Sequence, residues 1–194
     1  MSKLGSVEDT SHPQHLPQQP TWPDWYQNEF VPPAYEEWIW KDMDGNVCAD
    51  GSPTGLAYNL KANATELLIF FIGGGACWNT DGCFTHISSV NLKGYGNATF
   101  QAKDRLSFEN QLILTSRNPA AKNPWAKSSF VFVLYCTGDF HAGNAVATYA
   151  GAPAPIHHKG HQNFQNILKF LADAVPNMSD VWVTGVSAAA TVPR

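Results

Sequence analysis

The sequence predicts an α/β fold in which helices cover a largely parallel β-sheet. Three continuous runs of apolar, β-forming residues occupy Glu66–Ile72, Phe130–Tyr135 and Val181–Thr184, and each run ends in a polar loop that contains glycine. Such runs are typical of strands that are buried on both faces of a parallel sheet. An amphipathic pattern between the last two runs supplies the helix that a parallel crossover requires. We therefore expect the three loops to gather at the carboxyl edge of the sheet, where α/β sheets bind their ligands.

The segments that precede this core have a different character. Residues 1–35 are rich in proline and sustain no apolar period, which predicts a tail or strap on the surface. Residues 36–194 are expected to belong to a single domain, of which they form the N-terminal part, because domains commonly contain ~100–200 residues. Residues 36–60 alternate around two Asp-Gly dipeptides, at 44–45 and 50–51, and this pattern predicts a β-hairpin.

Four tryptophans lie in the strap and the hairpin, where their rings could stack on sugars. Large aromatic side chains more often anchor a segment to the core, so we expect these rings to pin the strap and the hairpin in place. The four residues are Trp22, Trp25, Trp38 and Trp40.

One amphipathic helix is predicted before the third strand. Its apolar side chains recur at helical spacing, and Pro176 ends it. The stripe consists of Phe164, Ile167, Leu168, Leu171, Ala172 and Val175. Residues 79–127, in contrast, are rich in Asn, Gly, Ser and Lys with only short apolar patches, so irregular loops with one short helix are expected there.

Charge and hydropathy exclude two classes of partner. The chain carries 12 basic and 16 acidic residues, a formal net charge of −4, with no Lys/Arg cluster that could neutralise a row of phosphates. A nucleic-acid partner is therefore not expected. No apolar run approaches the ~20 residues needed to cross a bilayer, so no membrane span is expected.

Cysteines and sequons favour an oxidising, glycosylating compartment. The four cysteines are Cys48, Cys77, Cys83 and Cys136, and the N-x-Ser/Thr sequons begin at Asn63, Asn97 and Asn177. We therefore expect a secreted or secretory-pathway protein, although the N-terminus shows no basic-then-apolar signal-peptide pattern. Four buried free thiols in a cytosolic protein are the alternative interpretation.

The strongest candidate for chemistry is Ser187. The third apolar run enters Gly185-Val186-Ser187, and small residues follow. A nucleophile elbow has this order because the strand delivers the serine, a tight turn exposes its hydroxyl, and small neighbours let the next helix approach the strand. A Gly-x-Ser alone is usually only a turn, but the preceding helix and strand make Ser187 a candidate nucleophile.

A second candidate element follows the first strand. Three glycines, at positions 73–75, come directly after the apolar run. Backbone N–H groups in such a loop can stabilise the oxyanion of a tetrahedral intermediate, and glycine leaves the approach to them open. Taken alone, the three glycines are equally consistent with a structural turn.

Four sequence motifs, in a fixed order, resemble those of a known protein family. GSPTG, FFIGGGACWNTDGC, YCTGDFHAGN and VTGVSA resemble successive signature segments of the pectin acetylesterase and Notum family, particularly its microbial pectin acetylesterase-like branch. The resemblance extends from about Cys48 to Ala188. It implies an α/β-hydrolase-type parallel sheet and hydrolysis of carboxylic esters, such as acetyl groups on a polysaccharide or acyl groups on a protein. It implies neither a metal nor an organic cofactor.

The resemblance also implies roles for single residues. Ser187 would be the nucleophile, and the N–H groups of Gly74, Gly75 and Ala188 would form the oxyanion hole. A short-loop disulfide between Cys77 and Cys83 would brace that hole, which leaves Cys48 and Cys136 to pair with each other.

The resemblance implies as well that the Asp and His of a Ser-His-Asp triad follow the serine much later, whereas only residues 188–194 follow Ser187 here. The chain as written is therefore expected to be truncated after the elbow, to have little or no esterase activity, and to leave its third strand as an exposed edge. Where the family continues Ser-Ala-Gly-Gly, the chain has Ser-Ala-Ala-Ala, and the added methyl groups could crowd the following helix against the strand. A non-catalytic relic or binding module that keeps the pocket is the alternative function.

Asp139 and His141 follow the second strand and are expected to form a wall of the pocket. A triad that uses these two residues with Ser187 is conceivable, because triads are defined by geometry and not by chain order. We favour the wall, since a loop histidine so close to an aspartate is more often hydrogen-bonded structure.

Zinc binding is a weaker interpretation. Two sets of side chains could supply ligands, but neither has the paired C-x-x-C spacing that makes a zinc site recognisable. The first set is His157, His158 and His161, and the second is Cys77, Cys83 and His86. A solvated helix start and a disulfide are the expected readings.

Overall fold

A computed structural model describes residues 36–110, 113–187 and 189 of the chain. The predicted tail or strap over residues 1–35, with Trp22 and Trp25, lies outside these described residues. The strands are β1 (Ile39–Val47), β2 (Pro53–Asn59), β3 (Glu66–Phe71), β4 (Ser129–Val133), β5 (Ala145–Ala147), β6 (Ile156–His158) and β7 (Asp180–Gly185). The α-helices are α1 (Asn97–Thr99), α2 (Arg105–Asn110) and α3 (Gly160–Ala174).

Five of the strands form one mixed sheet with the order β1-β2-β4-β3-β7. Strands β4, β3 and β7 are parallel, whereas β1 and β2 are antiparallel to their neighbours. The three apolar runs are therefore the parallel strands that the sequence predicts. The hairpin is also confirmed: it turns near Gly51 (φ +83°), while Gly45 (φ +76°) lies in an irregular part of β1.

Alternate residues of the central strands feed two cores, one on each face of the sheet. One core packs against α3 and includes Leu56, Leu67, Ile69, Phe71, Val131, Ile167 and Leu171. The other core is dominated by aromatic rings and includes Trp38, Phe70, Phe100, Phe108, Phe130 and Phe132. Apolar layers on both faces explain why β3 and β4 read as continuous apolar runs, and the chain has the α/β fold that the sequence predicts.

Helix α3 forms where the periodicity predicts it, but its buried face is narrower than the predicted stripe. Ile167 and Leu171 are buried against the sheet, together with Asn163 and Ala174. Leu168, which the stripe includes, is 43% exposed, and Ala172 is also exposed. The helix lies against β1. Leu168 and Ala172 point to solvent, whereas Phe164 and Val175 pack in the core, where the ring of Phe164 lies 4.7 Å from that of Phe71.

Residues 79–127 contain more regular structure than the expected loops with one short helix. A π-helical segment, Phe100–Asp104, joins α1 to α2, and single turns occur at Asp81–Thr85, Ile113–Thr115 and Pro119–Ala121. Phe100 and Phe108 project from this helical stretch into the aromatic core. Two widely spaced rings do not make a visible period, which is why the pattern shows only short apolar patches.

Trp38 confirms the anchoring expected of the hairpin tryptophans. Its ring is 3% exposed and lies 5.1 Å from the ring of Phe108, centroid to centroid. A disulfide between Cys48 and Cys136 ties the end of the hairpin to the segment after β4. The hairpin is therefore fixed to the sheet by pairing, by aromatic packing and by a covalent bond.

Strand β7 lies at the edge of the sheet in the part of the chain that is described. Val181, Trp182 and Val183 are each about half exposed, at 53%, 50% and 55%. This strand is thus not buried on both faces, unlike β3 and β4. No helix among the described residues is both long enough and apolar enough to cross a membrane.

Candidate active site

Three loops leave the carboxyl edge of the sheet side by side. In the sheet register Phe71 pairs with Val133 on one side and with Gly185 on the other. The backbone N–H of Val186 donates to the carbonyl oxygen of Phe71 at 3.2 Å. The strands β4, β3 and β7 therefore end side by side at the carboxyl edge of the sheet, so the glycine loop and Ser187 lie at the same edge.

Ser187 stands in a sharp turn immediately after β7. Its φ is +55°, in the left-handed region that residues with a side chain rarely occupy, and its side chain is exposed. The turn closes tightly, since the N–H of Ala189 donates to the carbonyl oxygen of Val186 at 3.1 Å. A Cβ atom on Gly185 would lie 2.7 Å from the carbonyl oxygen of Ala189. Glycine is thus required two residues before the serine, as in a nucleophile elbow.

Ala189 is the described residue among the alanines that follow Ser187. It is 2% exposed, and its methyl group packs in the core beside α3. Ala188, the expected third oxyanion donor, lies outside the described residues, as does Ala190.

The glycine loop packs so closely on residues 88–90 that two of its positions exclude a side chain. A Cβ on Gly74 would lie 2.1 Å from a methyl carbon of Val90, and a Cβ on Gly75 would lie 2.0 Å from the carbonyl oxygen of Ser88. Gly75 also has φ +75°. The carbonyl of Gly74 accepts a hydrogen bond from Val90, but the N–H groups of Gly74 and Gly75 have no acceptor among the described residues. Two donors thus remain available at the edge where Ser187 stands.

A short disulfide follows the glycine loop. Cys77 and Cys83 are bonded, with their Cα atoms 5.2 Å apart, which confirms the pairing that the resemblance implies. The N–H of Cys77 donates to the carbonyl oxygen of Gly138 at 2.9 Å and so joins the loop after β3 to the loop after β4. The disulfide therefore fixes the far end of the glycine loop. All four cysteines are in disulfides, which fits a secretory location.

Asp139 organises the loop after β4. One carboxylate oxygen accepts hydrogen bonds from the hydroxyl of Thr137 (2.6 Å) and the N–H of His141 (3.1 Å). The other accepts from the N–H of Gly143 (3.2 Å) and of Gly160 (2.7 Å). Gly160 is the first residue of α3, so the carboxylate caps that helix from outside its own sequence.

His141 is buried beneath the edge of the sheet. It is 5% exposed and lies between Phe71 and Tyr135, with ring centroids 4.9 Å and 4.8 Å away. Its Nε2 is 2.9 Å from the carbonyl oxygen of Ile72, which assigns the proton to this nitrogen. Burial lowers the pKa of His141, and the hydrogen bond to Ile72 and the charge of Asp139 only partly oppose that shift.

Ser187, His141 and Asp139 are therefore not joined as a hydrogen-bonded triad in this structure. Asp139 bonds the backbone of His141 and not its imidazole, whose Nε2 is held by a main-chain carbonyl. Both residues instead shape the loop, Asp139 by collecting N–H groups and His141 by packing under β3. The short spacing in the sequence reflects this backbone geometry and not proton transfer.

The histidines and cysteines considered for zinc are arranged differently from either expected set. His158 is buried in β6, and its ring nitrogens lie 2.8 Å from the carbonyl oxygen of Thr137 and 2.9 Å from the hydroxyl of Tyr149. Its ring lies close to the sulfurs of Cys77 and Cys83, which as a disulfide offer no thiolate ligand. The expected solvated helix start is thus wrong for His158, and His86 instead contacts Asp81.

Exposed apolar side chains lie in the loops at the edge of the sheet where Ser187 stands. Trp78 is 69% exposed in the loop after β3, and Phe140 is 42% exposed in the loop after β4. Val90 (45%) and Val186 (41%) adjoin the glycine loop and Ser187 in turn. The sequence pattern does not single these residues out, because scattered apolar residues in loops carry no period; only their exposure at this edge marks them.

Comparison with known proteins agrees with this geometry. A family model described as pectinacetylesterase matches residues 37–192. Among curated proteins, the palmitoleoyl-protein carboxylesterase NOTUM of Mus musculus is 26% identical over 97 residues, which cover 50% of this chain and 18% of that protein. The matched segment thus spans less than a fifth of the length of this curated relative. Because the family model covers most of the chain, the protein belongs to the pectinacetylesterase family.

Proposed function

We propose that this chain carries the nucleophile and the oxyanion-binding loop of a serine carboxylesterase with an α/β-hydrolase-type sheet. Its family points to the hydrolysis of carboxylic esters. The observation that carries the proposal is the position of Ser187, which is exposed at φ +55° after β7, next to a glycine loop with two unbonded N–H groups. A strained, exposed serine beside unused donors is the arrangement that acyl transfer needs.

The reaction would proceed through an acyl-enzyme. The hydroxyl oxygen of Ser187 attacks the ester carbonyl carbon, and the carbonyl oxygen becomes an oxyanion that accepts hydrogen bonds from Gly74 and Gly75. The oxyanion collapses, the carbon–oxygen bond to the alcohol breaks, and the alcohol leaves with a proton. Water then attacks the acyl-serine, releases the carboxylic acid and restores the hydroxyl.

This scheme needs a general base for the serine proton. In the part of the chain that is described, no hydrogen bond joins Ser187 to a histidine, and His141 and His158 are committed to main-chain carbonyls. The base and the acid that orients it are therefore proposed to come from residues other than these two. Without them Ser187 is a weak nucleophile, because its hydroxyl is protonated at neutral pH.

The substrate is proposed to be an acetyl or acyl ester on a sugar or protein. The exposed aromatic rings of Trp78 and Phe140, with Val90 and Val186, offer apolar surface on which a sugar ring or an acyl chain can pack. With two disulfides, the enzyme is proposed to act in the secretory pathway or outside the cell.

The test uses the full-length protein that contains this chain. Ser187→Ala is expected to lower p-nitrophenyl acetate turnover about 10⁴-fold or more, as removal of a nucleophile does in serine hydrolases. A fluorophosphonate probe should label the wild type on the peptide that contains Ser187 and should not label the variant. Ser107→Ala, which replaces a serine in helix α2, outside the loops that form the site, serves as the matched control and should keep full turnover.

Two results would contradict the proposal. Turnover that survives in Ser187→Ala would place the nucleophile elsewhere. A folded full-length protein that neither turns over ester nor reacts with the probe would favour the non-catalytic relic or binding module.

A further inference from the structure

Two of the three sequons stand at the amino edge of the sheet, the edge opposite Ser187. Asn63-Ala64-Thr65 comes directly before β3, and Asn177-Met178-Ser179 comes directly before β7. These strands are parallel neighbours in which Glu66 pairs with Asp180. Each asparagine stands at the same distance before its paired residue, so the two sequons lie side by side.

Hydrogen bonds hold the two sequons together. The N–H of Ser179 donates to the carbonyl oxygen of Thr65 at 2.7 Å, and the hydroxyl of Ser179 reaches the same oxygen at 3.1 Å. Asn63 occupies a left-handed turn, at φ +57°, and both asparagines are exposed. The geometry therefore presents two adjacent asparagine side chains on rigid turns at the surface.

The amides of these two asparagines are unused. Neither side chain makes a hydrogen bond to any described residue. Every other asparagine with a described side chain makes at least one side-chain hydrogen bond. Asn97, which begins the third sequon, accepts a bond from Gln101. Exposed amides without a partner contribute nothing to the fold, so the side chains are free to be modified.

A cavity of about 270 Å³ lies between the two asparagines, and both of them line it. Its lining is largely apolar and includes Leu60, Ala64, Val175 and Met178. Exposed apolar concavities usually mark a site that something covers. The first sugar on either asparagine would start at the rim of this cavity, with a C–H face suited to an apolar lining.

We propose that Asn63 and Asn177 carry N-linked glycans whose innermost sugars cover this cavity. In the transfer the Nδ2 atom of asparagine forms a bond to C1 of the sugar, and the bond from C1 to the diphosphate of a lipid-linked oligosaccharide breaks. The Nδ2 proton is lost and the lipid diphosphate leaves. Because Ser179 is bonded to Thr65 in the folded sheet, transfer precedes the pairing of β3 with β7. The modified edge lies opposite Ser187, so the glycans leave the candidate active site open.

The experiment expresses the full-length protein in a eukaryotic secretory host and maps glycopeptides by mass spectrometry. Both asparagines are expected to be occupied, and peptide-N-glycosidase should convert each to aspartate. Asn63→Gln and Thr65→Ala should each remove the glycan at Asn63. Asn177→Gln and Ser179→Ala should each remove the glycan at Asn177. Asn144→Gln changes an exposed asparagine outside any sequon and should leave the glycan mass unchanged.

A second measurement addresses the cavity. Enzymatic removal of the glycans from the native protein should raise the binding of an apolar fluorescent dye, and Met178→Glu should reduce that rise. Secreted protein with both asparagines unmodified would overturn the proposal. So would protein that is glycosylated at Asn97 alone, because the transferase would then have passed over both sites. Unchanged dye binding after deglycosylation would refute the covering of the cavity. Esterase turnover is not a readout in any of these arms, so their outcome is separate from the fate of the proposed function.

Discussion

Replacement of Asp139 by alanine should destabilise the protein far more than a half-buried surface carboxylate would suggest. The carboxylate accepts four hydrogen bonds, and three of its donors belong to the buried residues Thr137, His141 and Gly160. It also holds Phe140 and His141 in consecutive left-handed conformations, at φ +59° each. Removal of the carboxylate therefore leaves four donors unpaired and releases a strained loop.

The expected loss follows from the individual contacts. A hydrogen bond to a charged acceptor contributes ~1.5–3 kcal/mol, and the charge at the start of α3 adds ~0.3–1 kcal/mol. Water can replace part of these contacts in a half-buried loop, so we expect Asp139→Ala to lower the free energy of unfolding by about 3–5 kcal/mol. Asp139→Asn should cost less, about 1–2 kcal/mol, because its oxygen can keep the bonds from Gly143 and Gly160 while the Thr137 hydroxyl rotates to accept from its amide.

Urea denaturation of the full-length protein, followed by tryptophan fluorescence and circular dichroism, measures both losses. Asp173→Ala is the matched control, since it removes an exposed carboxylate from the same helix, and it should change the free energy of unfolding by at most ~0.5 kcal/mol. A loss below about 1 kcal/mol for Asp139→Ala would refute the reasoning. A larger loss for Asp139→Asn than for Asp139→Ala would refute the assignment of the four donors.

Three further outcomes are expected. Replacement of both Cys48 and Cys136 by serine should lower the free energy of unfolding by about 4–5 kcal/mol, because this disulfide closes a loop of 88 residues. Loss of the short-loop disulfide between Cys77 and Cys83 should lower it by about 2 kcal/mol. The opposite order in chemical denaturation would contradict the loop-closure argument. Burial lowers the pKa of His141, so in mild acid the unfolded chain binds a proton at this residue and the folded chain does not. The contribution of neutral His141 to the free energy of unfolding is therefore complete above the usual pKa of 6.5 and declines as the pH falls below it. His141→Gln, which can still donate to Ile72, should flatten the dependence of the melting temperature on pH between neutral and acid, and an unchanged slope would exclude this residue as its source. Ser187→Gly should remove activity as Ser187→Ala does, yet its free energy of unfolding should be about 1 kcal/mol higher than that of Ser187→Ala, because glycine adopts φ +55° without strain. Equal free energies of unfolding would show that the backbone of this turn is not strained.

The parallel part of the sheet could be predicted from the sequence because its signal is local. Strands β3 and β4 are covered on both faces, so every position in them is apolar and the run is continuous. The hairpin and α3 were likewise predictable from turn dipeptides and helical spacing. The elbow and the glycine loop followed from a fixed order of strand, glycine and serine, and the motif order around them resembled the family to which the chain belongs.

What the sequence could not determine depends on which surfaces meet. The stripe on α3 is apolar at Leu168 as well as at Ile167, and only the position of the helix against β1 decides that Ile167 is the buried one. Strand β7 contains an apolar, β-forming run as β3 does, yet it lies at the edge of the described sheet and its apolar side chains are about half exposed. Periodicity reports the character of a segment but not its neighbours.

The candidate site shows the same division. The sequence by itself pointed to Ser187 and the glycine loop as candidates, because each is a short motif with its own geometry, and the resemblance to the family implied the pairing of the four cysteines. Only the tertiary structure decided that Asp139 caps a helix that begins far away in the chain, and that His141 lies under β3 instead of beside the serine. It also set two sequons from distant segments next to each other through the pairing of Glu66 with Asp180. These contacts join residues that are remote in the chain, and their geometry follows from strand order and register, which no local pattern encodes.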